Sequence, residues 1–408
     1  MWTKAVDIYS VREIRTRSEL FLGVGAMGRL GELLKILKEH GADPLLLLTG
    51  KRSFRRSGAE KEVMTALKES GMKWSTFVSS EPEIPELEKA AEFGAANGAK
   101  AVLAAGGGHV MDAGKILALL LAQKEKRGVK ALLDPSFVPD GVLPLLAVNL
   151  SHGSGSENNP LALLSCPKEK WSRFLRSELF YPWKTICDPS FAVTVPKQAT
   201  RCSAVNAVSH ALESVAGEET NALSILLAHE IVRLVATYLP QVEKDPSDLE
   251  GRYFLQFASL LSGLASDNGG VRFAHALAHP LRFLRPGLPH ELGVSVLLPG
   301  VLKRLYPACG KVLASVLAPI VPDLTGSAEE AQEASCGLEN WISACGVKLS
   351  SDDAAFLREN LDELVETSYQ DPCLAQLLST SPLEPSRDAV RSLFDDALTS
   401  ARGGEQAE

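Results

Sequence analysis

Between residue 20 and about residue 190 the chain alternates short, uninterrupted apolar runs with amphipathic stretches, in the order LFLGVG, GRLGELLKILKEHG, PLLLLTG, GAEKEVMTALKESG and AKAVLAAGGG. Runs without polar alternation, such as 45–48 and 101–105, suit strands buried on both faces, and such strands belong to a parallel sheet covered by helices. The pattern predicts an α/β N-terminal half with a mainly parallel sheet and with its ligand site at the carboxyl ends of the strands. From about residue 197 the apolar spacing shifts to a helical period in ATRCSAVNAVSHALESVAG, NALSILLAHEIVRLVATYLPQV and YFLQFASLLSGLASDNGGVRFAHALAHPL. The second half is therefore expected to be all α, with the boundary near residue 190: one domain over 1–190 and a second over 191–408.

Composition narrows the function. Hydrophobic residues make up 45% and charged residues 23% of the 408, the profile of a globular protein. The formal net charge of -8 supplies no cationic footprint for nucleic acid or anionic lipid. Apolar runs such as Ile116 to Ala122 fall far short of the ~20 residues of a bilayer span, so no membrane segment is expected. The start, MWTKAVDIYSVREIRTRSELF, has no apolar h-region and does not read as a secretory leader. Seven scattered cysteines without a C-x-x-C pair suit a reducing, cytoplasmic setting. The small, polar tail ARGGEQAE is expected to fray.

Three glycine-rich segments follow apolar runs. Gly106, Gly107 and Gly108 lie between a buried strand and a helix starting near His109. Backbone amides and a helix N-terminus there can meet a pyrophosphate, with Asp112 in the first turn. The segment is not a nucleotide-triphosphate loop, because Gly114-Lys115 is wrongly spaced from Gly108 and Ile116 stands where a magnesium-binding hydroxyl is needed. Gly23-x-Gly25-x-x-Gly28 matches the dinucleotide fingerprint, which calls for an acidic residue about 20 positions on. Here the second run ends in Leu48, Thr49 and Gly50, followed by Lys51, Arg52, Arg55 and Arg56. A basic cluster there suits a 2′-phosphate, hence NADP(H) over NAD(H), and also reads as the solvated start of a helix. In the third segment, LSHGSGSENNP, Gly153, Ser154, Gly155 and Ser156 can form a tight hydroxyl-lined loop; alone it reads as a flexible loop.

Four of the eight histidines fall in NAVSHALE, FAHALAHPL and GLPHELG. Asn206 and His210 share one helix face, as do His275 and His279, while His290 follows Pro289 in a turn. Three imidazoles and an oxygen can converge on a divalent ion. Each histidine taken singly reads more readily as structural than as a ligand, while the set reads equally as a metal site. His275 to His279 lacks the glutamate of a zinc protease, and His229, between Ala228 and Glu230, reads as an ordinary interfacial residue.

The ordered set of motifs resembles the iron-containing (group III) alcohol dehydrogenase family over almost the whole chain. GGGHVMDAGK looks like the family's phosphate loop, with His109 in place of the usual Ser. LSHGSGSE looks like its threonine-rich loop, with Ser151-His152 as a departure, and DPSFAVTVP like its interdomain entry. NAVSHALE, HALAHPL and PHELG look like its three metal-site segments.

The resemblance implies a dehydroquinate-synthase-like fold, with a Rossmann-like dinucleotide-binding domain, an all-helical metal and substrate domain, and the active site in the cleft between them. It implies Asn206, His210, His275 and His290 as ligands of Fe2+ or Zn2+, with His279 as a proton-relay group. Asn206 stands where the family usually has aspartate, which weakens a divalent site. Gly50 stands where NAD-preferring members usually have aspartate, which favours NADP(H) while leaving NAD(H) as a cofactor the chain can use.

The expected activity is NAD(P)-dependent, metal-assisted interconversion of an alcohol and an aldehyde by a homo-oligomer, a dimer or larger. Two alternatives remain open: a metal-independent enzyme like the maleylacetate reductases, which can also carry Asn at that position, and a cofactor-binding protein without catalysis.

Overall fold

The computed structural model of the chain describes Arg17 and residues 19–400, apart from 80, 126, 380 and 383–385. The readings of the first 16 residues and of the tail 401–408 lie outside the described residues.

The strands are β1 (Leu20–Leu22), β2 (Leu45–Thr49), β3 (Trp74–Val78), β4 (Ala101–Gly106), β5 (Leu145–Asn149), β6 (Leu161–Cys166), β7 (Trp171–Arg176) and β8 (Lys184–Cys187). Six form a wholly parallel sheet in the order β1-β8-β5-β4-β2-β3, while β6 and β7 pair as a separate antiparallel hairpin. Helices α1 (Leu30–Glu39), α2 (Ser53–Arg56), α3 (Ala59–Ser70), α4 (Ile84–Ala96) and α5 (Gly108–Leu121) connect the first strands. Successive side chains point to opposite faces, so Leu45, Leu47, Ala101 and Leu103 pack with α1 and α3. On the other face Leu46, Leu48, Val102 and Ala104 pack with α4 and α5. This two-sided burial is what the uninterrupted runs signalled.

The chain passes from β2 out to β3 and returns to β4 on the other side of β2, so the strand order reverses between β2 and β4. The carboxyl ends of these two strands, Thr49-Gly50 and Gly106, flank the crevice where open α/β sheets bind ligands. Thr49 is in register with Ala105, which sets Gly50 beside the three-glycine loop. The fingerprint at Gly23 to Gly28 needs correction on this point. It follows the edge strand β1, four steps of about 4.8 Å from β2, so it cannot share a cradle with Gly50 as paired first and second strands would.

After the short α6 (Pro189–Ala192) all described regular elements are helical: α7 (Lys197–Ser214), α8 (Ala222–Lys244), α9 (Leu249–Gly269), α10 (Phe273–Leu284), α11 (His290–Leu317), α12 (Ala331–Ala344), α13 (Ser351–Glu359), α14 (Leu361–Gln370), α15 (Pro372–Leu378) and α16 (Arg387–Ser400). The break between α9 and α10 falls at Gly270, with a φ of 79° that favours glycine. Helix α8 corrects the run-length reading of membrane character, since by length and composition it could cross a bilayer. Its Leu227, Ala228, Ile231, Leu234 and Val235 are instead buried in the core shared with α7 and α9, as in the core helix of a globular protein.

Sequence periodicity missed β3 and the β6–β7 hairpin. The edge strand β3 is only half buried and carries no continuous apolar run.

Candidate active site

The three glycines at the end of β4 are required by space. A Cβ on Gly106 would lie 2.5 Å from Val110, one on Gly107 3.0 Å from the Ser151 hydroxyl, and one on Gly108 2.8 Å from Ser154. The three residues and the first turn of α5 thus form a bare backbone cradle walled by the loop that follows β5. Asp112, inside that turn, is buried and held: the Ser156 hydroxyl donates to one oxygen and the Leu163 N–H to the other at 3.1 Å. Burial raises its pKa in spite of nearby Lys115. Lys115, itself pushed down to about 8 by burial, donates to Ser156 and Asn159 at 3.0 Å and to the Leu161 carbonyl at 2.6 Å. Asp112 therefore braces the cradle from behind. Lys51 and Arg52 are exposed beside Gly50.

The loop 150–160, legible in sequence only as flexible, joins the two halves. Gly153 and Gly155 have φ of 103° and 65°, and a Cβ on either would strike main chain of the helical half, at Ser203 in α7 and Gly263 in α9. His152 in the same loop is buried with Nε2 unpartnered, its pKa down to about 3 from burial and then from Arg252.

Across the cleft the helices gather the predicted side chains. Asn206 and His210 come from α7, His275 and His279 from α10, and His290 opens α11. Ring centroids are 4.5 Å apart for His210 and His275, 5.7 Å for His275 and His290, and 4.8 Å for His279 and His290. Asn206 donates its Nδ2 to the Gly153 carbonyl at 3.0 Å. Its Oδ1 is left buried without a partner, as are Nε2 of His275, Nε2 of His279 and Nδ1 of His290. Burial is the main cause that holds His210 and His290 well below the usual imidazole pKa and takes His279 down to about 3. Neutral rings keep a lone pair on nitrogen, the form that ligates a metal.

A cavity of about 80 Å³ lies between these walls, and its lining brings Gly108, His109, Asp112 and Ser154 together with Asn206, His210, His275 and His290. Leu161, Leu163, Val271 and Phe174, the last from the β6–β7 hairpin, make an apolar side. His279 is not on the cleft wall. It stacks behind His290 and meets the Phe174 ring edge at 6.1 Å.

The donor set suits a divalent ion in chemistry. Rings radiating from one tetrahedral ion, with nitrogens ~2.1 Å away, have centroids roughly 5 Å apart; the 4.5 and 5.7 Å spacings bracket that value. Among the described residues no three His, Cys, Asp or Glu side chains form a ready ligand cage. The rings would have to turn onto a common point, with Asn206 supplying a neutral oxygen.

Sequence reasoning gave no role to Glu213, Glu81, Lys115, Asn159 or Phe174. Glu213 sits inside the quoted NAVSHALE segment, where its spacing from His210 was the available signal.

Two family models match the chain: iron-containing alcohol dehydrogenase over residues 18–189, and the C-terminal part of the Fe-containing alcohol dehydrogenase family over 200–398. The long-chain primary alcohol dehydrogenase AdhA of Thermoanaerobacter ethanolicus is 34% identical over 98% of this chain and all of its own length. An NAD-dependent methanol dehydrogenase of Bacillus methanolicus is 24% identical over 86% of this chain and 92% of its own. The crystal structure of an NADH-dependent butanol dehydrogenase A from Thermotoga maritima has the same fold, with a TM-score of 0.85 at 23% identity over 95% of this chain and 98% of that one. Matched by the family models in both halves and by AdhA over 98% of its length, the chain belongs to the iron-containing alcohol dehydrogenase family.

Proposed function

We propose that the protein interconverts a small-molecule alcohol and its aldehyde or ketone by hydride exchange with NADP(H) in the cleft between sheet and helices, assisted by Fe2+ or Zn2+. One observation carries the reading: Asn206, His275 and His290, each with a buried polar atom that has no partner, line the same cleft as Gly108 of the glycine cradle that would hold a pyrophosphate. When bound, the nicotinamide supplies or accepts hydride and the ion polarises the substrate oxygen.

The chain's own residues do the rest. In this reading residues 1–190 hold the cofactor and 191–408 the ion and substrate, with the hairpin lending Phe174. Gly106, Gly107, Gly108 and the α5 amides bind the pyrophosphate, with Ser151, Ser154 and His109 beside them, and Asp112 stiffens the cradle. Gly50, Lys51 and Arg52 leave room and positive charge for a 2′-phosphate, which would set this enzyme apart from relatives named for NAD or NADH. Asn206, His210, His275 and His290 would hold the ion. Leu161, Leu163, Val271 and Phe174 seat the carbon chain and exclude water, which strengthens every electrostatic contact inside. His279, neutral and behind His290, passes a proton to the product oxygen through water and is not its reservoir. The working form is taken to be a cytoplasmic homodimer or larger assembly.

Purified protein assayed on a panel of alcohols and aldehydes, with NADPH or NADH and with or without Fe2+ or Zn2+, should turn over with NADPH and ion together. No turnover in any combination would end the proposal. A second reading, metal-independent reduction, is favoured by the neutral Asn206 and by the lack of a ready cage among the described residues. Activity that survives exhaustive chelation and His290→Ala would select it.

A further inference from the structure

Glu213 is a fully buried acid to which the proposed reaction assigns no part. It lies on α7 one turn after His210 and points at the start of α10. One carboxylate oxygen accepts the Ala274 N–H at 2.7 Å; the other accepts the Arg272 N–H at 3.1 Å and meets Nδ1 of His275 at 2.5 Å. The two backbone groups are among the donors a helix leaves unsatisfied at its N-terminus, where negative charge is also favoured by the helix dipole. Both carboxylate oxygens already act as acceptors of backbone N–H groups, and in that role the carboxylate meets His275 with the ring proton on Nδ1. The other nitrogen, Nε2, is buried and unpartnered, and the ring lines the cleft.

We propose that Glu213 is a positioning residue that fixes the tautomer and tilt of His275, so that a bare Nε2 lone pair faces the cleft at the spot where His210 and His290 also present their rings. The same carboxylate ties α7 to α10 and thereby sets His210 against His275. A ligating histidine that gives its other proton to a carboxylate is oriented and made more basic, and loss of such a partner costs about 10–100-fold in metal affinity. This inference rests on the proposed function only for the use made of the lone pair; the tautomer itself can be tested without turnover.

The direct test is nitrogen NMR of the full chain labelled at histidine, with His275→Gln to assign the signal. A proton on Nδ1 and none on Nε2 is expected, and the reverse would overturn the proposal. In Glu213→Gln an amide must offer either its NH2 or its single oxygen, so the proton moves to Nε2, as happens when the acid of a carboxylate–histidine pair becomes an amide. Zn2+ titrated alone should then bind about 10–100-fold more weakly than to the wild type. Unchanged Zn2+ affinity with the proton still on Nδ1 would reduce Glu213 to a helix cap and sink the idea. Should the variant not fold, or the wild type not take up Zn2+, the wild-type spectrum decides alone. Absence of dehydrogenase activity in the wild type would instead strike the functional reading and leave this assignment standing.

Discussion

Nδ1 of His109 lies 3.0 Å from Oε2 of Glu81, the same oxygen that Arg282 reaches at 3.2 Å. One carboxylate from the segment after β3 thus joins the glycine cradle to α10, the helix that carries His275 and His279. Burial opposes charge on both partners. The contact nevertheless raises the pKa of His109, and with Arg282 it takes Glu81 down to about 2.

The pH dependence of stability follows from these directions. A raised histidine stabilises fully below its unfolded value of 6.5 and loses the effect as pH climbs through its folded pKa. A lowered carboxylate stabilises above its unfolded value of 4.5 and loses the effect as pH falls toward 2. Melting curves of wild type and His109→Ser should therefore differ most between pH 4.5 and 6.5 and converge above. Since the pair is about 30% exposed, the gap should be about 1 kcal/mol or less. A gap that widens with rising pH would contradict the assignment.

Gly108→Ala places a Cβ 2.8 Å from Ser154, in the wall of the cradle. The loop must move to admit it, at a cost of about 1–3 kcal/mol. NADPH binding, followed by fluorescence, should weaken by about tenfold or more, because 1.4 kcal/mol is a factor of ten. Equal affinity for both proteins would remove the cradle from the cofactor site.

Gly50→Asp tests the cofactor choice. The new Cβ meets only the Ser53 hydroxyl, at 2.9 Å, and the Val110 methyl, at 3.6 Å, so a rotation of Ser53 makes room. A carboxylate there repels a 2′-phosphate and can accept from ribose hydroxyls. The ratio of kcat/KM for NADPH to that for NADH should fall about tenfold or more, from a like-charge repulsion of one to a few kcal/mol. An unchanged ratio would place the adenosine ribose elsewhere.

The shapes legible in the sequence were those that depend on burial along one segment. Leu45 to Leu48 and Ala101 to Ala105 announced central strands because both of their faces are covered. The motif order also placed Asn206, His210, His275 and His290 in one cleft. What escaped depends on contacts between distant segments. Glu81 and Glu213 carry no partner within their own segments; His109 of α5 and Arg282 of α10 meet the first, and His275 of α10 meets the second. The Gly23 motif misled for the same reason, since its neighbour in the sheet is β8, the last strand formed along the chain.

Asn206→Asp should act in opposite directions on the free and the ion-loaded protein. The Nδ2 donor to the Gly153 carbonyl is lost, and a carboxylate oxygen then faces that carbonyl, which costs about 1–3 kcal/mol in the free protein. The added negative charge strengthens divalent binding. The rise in Tm on adding Zn2+ should exceed that of the wild type, from a lower starting point. Equal shifts in the two proteins would mean that Asn206 stays clear of the ion.

The contact of Gly155 with Gly263 is main chain upon main chain, with no side chain between. It acts as a gauge block of fixed thickness: the reach from the cofactor loop to the helices is set by the polypeptide itself. Substitutions at Phe174, Leu163 or Val271, which line the cleft, can then reshape its walls while the distance between the two halves stays the same.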